Sequence, residues 1–188
     1  DEGRGALLMG AHLGSFEVLR TLGQERGGLR VCMAMYEDNA RRLNATLAAI
    51  APDAMQDVIA LGRMEAMLTV RDRLDEGCLV GLLADRSLAA DDAYARLPFL
   101  GADAPFPLGP WRLAAMLQRP VFFMAGLYLG GNRYEIRFER IADFSDTPRG
   151  ERPAAMAGAQ RAYVEVLERT LRASPWNWFN FYDFWQAP

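Results

Sequence analysis

Residues 5–22, GALLMGAHLGSFEVLRTL, decide the fold. The uninterrupted apolar run over 5–11 reads as a strand. His12, Leu13, Gly14 and Ser15 then break the run, and an amphipathic stretch follows through Leu22. The pattern is strand, turn, helix, and the unit recurs. Residues 29–35 read as a second strand, after which Asp38 is placed to cap a helix over 39–50 that Pro52 ends. Residues 57–61 make a third strand, 64–76 a helix stopped by Gly77, and 78–84 a fourth strand. Strands alternating with helices at this spacing imply right-handed crossovers, and hence a mostly parallel sheet covered on both faces.

The second half changes character. Residues 97–100 form a short, proline-bounded strand, and 107–118 form a helix whose Pro107 and Pro110 fit only its start. Residues 120–129 are a further strand, and Gly130, Gly131 and Asn132 supply a tight turn. After it, Tyr134, Ile136 and Phe138 alternate with Glu135, Arg137 and Glu139, so this hairpin strand has one wet face and belongs near a sheet edge. An alanine-rich helix over 151–173 leads into an aromatic tail, SPWNWFNFYDFW, at 174–185. The expected fold class is α/β: a mostly parallel mixed sheet flanked by helices, with an antiparallel hairpin strand near one edge, in one domain over 1–188.

Composition narrows the function. The 188 residues are 51% hydrophobic and 24% charged, enough to build a sizeable core. A net charge of -3 leaves no sequence-wide basic footprint for capturing nucleic acid, which confines any such contact to a local patch. All 21 cations are arginine, which excludes Schiff-base and P-loop lysine chemistry. With a single histidine a multi-histidine metal site is excluded, and no metal or cofactor is implied. Cys32 and Cys78 form neither a CxxC pair nor a disulfide framework, and read as buried thiols in a reducing compartment. The longest apolar stretches, near 120–129 and 78–84, fall short of the roughly 20 residues a spanning helix needs. The chain opens at Asp1 and enters a strand within a few residues, so further sequence is expected upstream.

In open α/β sheets ligands bind beyond the carboxyl ends of the parallel strands, so the residues just after each strand are the site candidates. After the first strand come His12 and Glu17; after the second, Tyr36, Glu37, Asp38 and Asn39; after the third, Arg63; after the fourth, Asp85, Arg86 and Ser87. Histidine is the one side-chain type suited to exchange protons near neutral pH, and His12 is its single occurrence. A carboxylate accepting one ring N–H fixes its tautomer and leaves the other nitrogen as a base. Glu17 is a candidate partner, since His12 precedes the helix and can fold back over its first turn. The bland alternative is a packing histidine with a solvated Glu17. Gly14 permits close approach at the turn and Ser15 is a helix N-cap. Arg63 and Arg86 suit a phosphate or a polarised carbonyl, against the alternative of ordinary ion pairs. Asp85 ends an apolar strand, where a cap is the competing role. The aromatic tail reads as core or, where it meets solvent, as an interfacial anchor.

The run 5–19, GALLMGAHLGSFEVL, resembles the first motif of the lysophospholipid and lipid A acyltransferase superfamily, in which a strand ends in a histidine, then four residues, then an acidic residue. It is most similar to the lipid A lauroyl and myristoyl acyltransferase branch, with its HxxxxE and Gly-(Asn/Ser)-(Trp/Phe)-Glu core. The stretches GLLAD at 81–85, PFLG at 98–101 and PLGPWRLAAMLQRPVFFMA at 107–125 agree. Two positions depart. Relatives carry Tyr-Arg where this chain has Tyr36-Glu37, so an oxyanion-supporting arginine must come from elsewhere, such as Arg41 or Arg42. Relatives have Asp-Gln where this chain has Asp85-Arg86. The closing WNWFNFYDFW resembles a branch associated with aryl-polyene lipids.

The resemblance implies an O-acyltransferase that moves an acyl group from an acyl carrier protein thioester to a hydroxyl of a membrane lipid or glycolipid, at the cytoplasmic face of the bacterial inner membrane, and a hydrophobic anchor ahead of the first motif. His12 and Glu17 are then the catalytic pair, and Asp85, Arg86, Arg63, Tyr36, Asn39 and Arg41 bind substrate. The alternatives are a hydrolase using the same dyad on water, and a catalytically silent acyl- or lipid-binding domain.

Overall fold

The computed structural model describes residues 4–18, 30–36, 58–62, 64–86 and 92–186. Six strands form one sheet: β1 (Leu7–Gly10), β2 (Val31–Tyr36), β3 (Val58–Leu61), β4 (Leu79–Leu83), β7 (Pro120–Tyr128) and β8 (Tyr134–Asp143). Their spatial order is β3-β2-β4-β1-β7-β8, with the first five parallel and β8 antiparallel on the edge beside β7. This is the expected α/β architecture with an antiparallel edge strand. The helix expected over 39–50 lies outside the described residues.

The all-apolar β1 sits centrally because it is buried on both faces. Leu7 and Met9 join the main core, whereas Leu8 joins a second cluster with Val31 and Met124. Helix α1 (Met64–Asp75) buries Ala66, Val70 and Leu74 at helical spacing. It stops at Gly77, whose φ of 82° lets Cys78 N–H reach the Arg73 carbonyl and Gly77 N–H the Leu74 carbonyl. Helix α2 (Gly109–Leu117) starts two residues later than expected, because Pro107 ends a strand instead. Helix α3 (Arg152–Ala173) presents a stripe that includes Tyr163, Val164, Val166, Leu167 and Leu171 to the core.

A second sheet is absent from the sequence reading. β5 (Tyr94–Phe99) and β6 (Ala102–Pro107) pair as an isolated antiparallel hairpin. The ADAPFP segment carries prolines that argue against a central strand, but in a two-stranded ribbon both strands are edges and proline is tolerated. The turn residues Leu100 and Gly101 both have positive φ, 53° and 96°, as a two-residue primed turn requires. A leucine in that position gives no turn signal. Its N–H donates to Glu168 Oε2 at 3.0 Å, tying the hairpin to α3, and this bond with the Arg172 guanidinium holds the Glu168 carboxyl below its usual range. Strand β8 runs to Asp143, with a bulge opposite Val121 and Phe122 that shifts its register on β7.

Helix α3 meets the centre of the sheet at Tyr163. Its fully buried hydroxyl donates to the Gly10 carbonyl at 2.7 Å, and its ring packs edge-on to Trp111 and tilted against Phe123. Burial and the nearby negative charge of Asp85 push the phenol well above its ordinary value, so it stays protonated and donating. Gly10 also accepts from Ala84 N–H, so Tyr163→Phe removes one of two bonds. The expected loss is about 0.5–1.5 kcal/mol of unfolding free energy at neutral pH. Because the folded-state value is raised, the phenol's share of stability is full below about pH 10 and is lost as pH climbs from there through that value. Denaturant titrations of wild type and Tyr163→Phe at about pH 8 and about pH 11 should therefore show the gap narrowing at the higher pH.

Candidate active site

The register of two neighbouring strands builds the site. Gly10 of β1 pairs with Leu83 of β4 in parallel, and Ala84 N–H donates to Gly10 at 3.0 Å. The residues two positions beyond that pair are His12 and Asp85, which therefore leave the sheet side by side. Asp85 is 1% exposed and holds His12 twice: Oδ2 accepts the His12 backbone N–H at 3.0 Å, and Oδ1 lies 3.0 Å from the ring Nδ1. With the carboxylate accepting from Nδ1–H, the Nε2 lone pair is left available to act as a base. Among the described residues, the carboxylate bonded to the imidazole is thus that of Asp85. The sequence reading had grouped it with the substrate-binding residues.

Glu17 is exposed in the helical turn at 16–18 and makes contacts of its own. The turn before it is compressed. Gly14 has φ 72°, and a Cβ there would lie 2.1 Å from the Gly126 carbonyl oxygen, which accepts Ser15 N–H at 2.8 Å. Phe16 packs over Gly81 of β4, where a Cβ would come 2.4 Å from its ring. Glycines at 14 and 81 therefore allow the chain to turn tightly from β1 back over the sheet.

The aromatic tail completes the site. Helix α3 ends in a short 3-10 turn, Pro175–Asn177. The Asn177 carbonyl accepts Gly14 N–H at 2.8 Å, Leu13 and Trp178 form an antiparallel bridge, and Phe179 N–H donates to the His12 carbonyl at 2.8 Å. The buried Asn177 side chain accepts from Tyr128 N–H at 2.7 Å and donates to the Tyr128 carbonyl at 3.2 Å, like a further strand residue at the end of β7. Behind this clamp, Phe184 packs into Phe99, Phe106 and Trp178. Farther along the tail, Tyr182 lies under the Arg86 guanidinium, 5.5 Å from ring centroid to carbon. Burial and Asp85 raise its phenol above the ordinary value, with Arg86 opposing.

His12, Asp85 and Arg86 thus share one sheet edge, and Tyr36 ends β2 at the same carboxyl edge. Arg63, Asn39 and Arg41, with Glu37, Asp38 and Arg42, lie outside the described residues. Sequence reasoning missed Asn177 and Tyr163. An amide set among aromatics in PWNWF was the available signal for the first; nothing local marks the second.

The family model for bacterial lipid A biosynthesis acyltransferases matches residues 1–187. No individual curated protein matches the chain. A match running from the first residue through the strand-end histidine to the clamping tail takes in the whole sheet and everything at its carboxyl edge, and the chain belongs to the bacterial lipid A biosynthesis acyltransferase family, whose general activity is acyl transfer.

Proposed function

We propose that the protein moves an acyl chain from an acyl carrier protein thioester to a hydroxyl of a membrane lipid or glycolipid, at the cytoplasmic face of the bacterial inner membrane. The observation that carries this reading is the imidazole of His12 held through Nδ1 by a buried carboxylate, with its second nitrogen available as a base. Nε2 takes the proton of the acceptor hydroxyl as the oxygen attacks the thioester carbonyl. The tetrahedral intermediate collapses with loss of the carrier's thiolate, which recovers the proton from the imidazolium. Asp85 fixes the tautomer and offsets the positive charge that forms on the ring. Glu17, at the acidic position of the HxxxxE pattern, adds a second negative charge near it. Arg86, beside Asp85, and Arg41 are the proposed donors to the oxyanion, in the absence of the arginine that relatives carry after Tyr36. Arg63, Tyr36 and Asn39 are proposed to bind the acceptor. The aromatic tail favours an aryl-polyene-type lipid as the product class.

The test is incubation with labelled acyl carrier protein and membranes, with the labelled lipid identified by mass spectrometry. His12→Ala should lower the transfer rate by about 10² to 10⁴ while leaving thermal unfolding unchanged, and Asp85→Asn should fall in the same range because the tautomer is no longer held. Glu17→Gln is expected to be severely impaired as well. Wild-type turnover in His12→Ala would sink the mechanism. Release of free acid without an acceptor would instead indicate a hydrolase, and tight acyl binding without turnover a silent binding domain.

Asn177 gives a separate prediction. It touches no reacting atom, but its carbonyl and its neighbour Phe179 hold the His12 loop in place. Asn177→Ala should lower kcat by about 10- to 100-fold with little change in KM, since small displacements of a base are costly. A cooperative thermal transition with unchanged kcat would remove Asn177 from this positioning role.

A further inference from the structure

The tail that clamps His12 alternates between burial and projection. Asn177 and Phe184 are buried, whereas Trp176 is 95% exposed and Phe181 90% exposed. These rings do not hang from a loose end. Trp176 directly precedes Asn177, which is bonded to Gly14 and Tyr128, and Phe181 lies between Phe179, bonded to His12, and Phe184, packed in the core. Large apolar side chains are therefore fixed in water on a rigid support. The end of β7 and start of β8 add Tyr128, Leu129 and Tyr134, all exposed, with the two tyrosine rings 5.3 Å apart. Since β7 runs parallel to β1, these residues stand on the same carboxyl edge as His12 and Asp85.

The chemistry of the rim indicates its occupant. A stable protein partner needs roughly 800 Å² of shape-complementary surface on each side. Trp176 and Phe181 instead project almost wholly into solvent, separated along the chain by the buried Asn177, the half-buried Trp178 and Asn180, and the exposed Phe179. Tryptophan and tyrosine concentrate where one end of a ring is apolar and the other wet, as at the boundary of a bilayer. No helix among the described residues is long and apolar enough to cross a membrane. We infer that Trp176 and Phe181, supported by the Tyr128–Tyr134 rim, enter the interfacial layer of the membrane and set the His12 edge of the sheet against it. The inference deepens the proposed function and rests on it only in taking the acceptor to be a bilayer lipid.

The test uses vesicles of phosphatidylcholine and phosphatidylglycerol, prepared with either plain or brominated acyl chains. Bromine should quench the tryptophan emission of the wild-type protein, and Trp176→Phe, which keeps Trp111, Trp178 and Trp185, should lose most of that quenching. The double variant Trp176→Ser, Phe181→Ser should bind vesicles about tenfold more weakly or worse. It should still acylate a detergent-dispersed acceptor at the wild-type rate. Quenching that survives in Trp176→Phe, or equal vesicle affinity in the double variant, overturns the inference. So does a double variant that changes oligomeric state while its vesicle binding is unaltered, which would mark the rim as a contact between copies. Quenching without transfer to any acceptor would leave this surface standing and reject the acyltransfer reading; transfer in detergent with no quenching would do the reverse.

Discussion

Asp85 is a carboxylate taken almost wholly out of water, and the site is organised around what that requires. A buried charge is tolerated only when hydrogen bonds replace its lost hydration. Among the described residues, Asp85 recovers them from His12, accepting from its backbone and its ring. The same two bonds that stabilise the charge also fix the loop after β1 and the tautomer of the imidazole. Removing the charge would therefore disturb both the position of the base and its protonation pattern.

The surroundings are matched to that charge. Tyr163 lies close enough to Asp85 for its phenol to be driven upward, so it remains a neutral donor to Gly10, the last residue of β1. Arg86 follows Asp85 directly and rests on the face of Tyr182. A cation held against an aromatic ring beside a buried carboxylate keeps a defined direction without neutralising that carboxylate through a direct salt bridge. The arginine adds positive charge to the sheet edge that carries His12 and Asp85.

The tail gives the His12 loop its outer wall. A loop pinned only from the sheet side would leave Gly14 N–H and the His12 carbonyl to solvent. Asn177 and Phe179 pair with both, and the Asn177 amide is itself locked to Tyr128. The isolated hairpin supports this from behind: Phe99 and Phe106 make the floor on which Phe184 and Trp178 pack, and the Trp185 indole N–H donates to the Phe99 carbonyl at 3.1 Å. An irregular segment is thereby held against the His12 loop by backbone pairing on one side and aromatic packing on the other.

Much of this was legible in the sequence because burial leaves a local signature. Doubly buried strands read as apolar runs, α1 ends at a glycine, and His12, Asp85 and Arg86 stand out as polar residues at strand ends, where this kind of sheet binds ligands. Periodicity does not say which strands become neighbours. Glu17, five residues from His12, was the carboxylate that sequence proximity suggested; Asp85, 73 residues away, is the one on the ring, because the pairing of β1 with β4 brings their ends together. The hairpin was hidden for a related reason, since its prolines and its leucine turn are tolerated only in a two-stranded ribbon packed between α3 and the tail. Nor does composition tell which aromatics of the tail are core and which project, because that depends on the β7 end and the His12 loop against which the tail is folded. Local chemistry set the inventory of the site, and long-range register decided which groups within it meet.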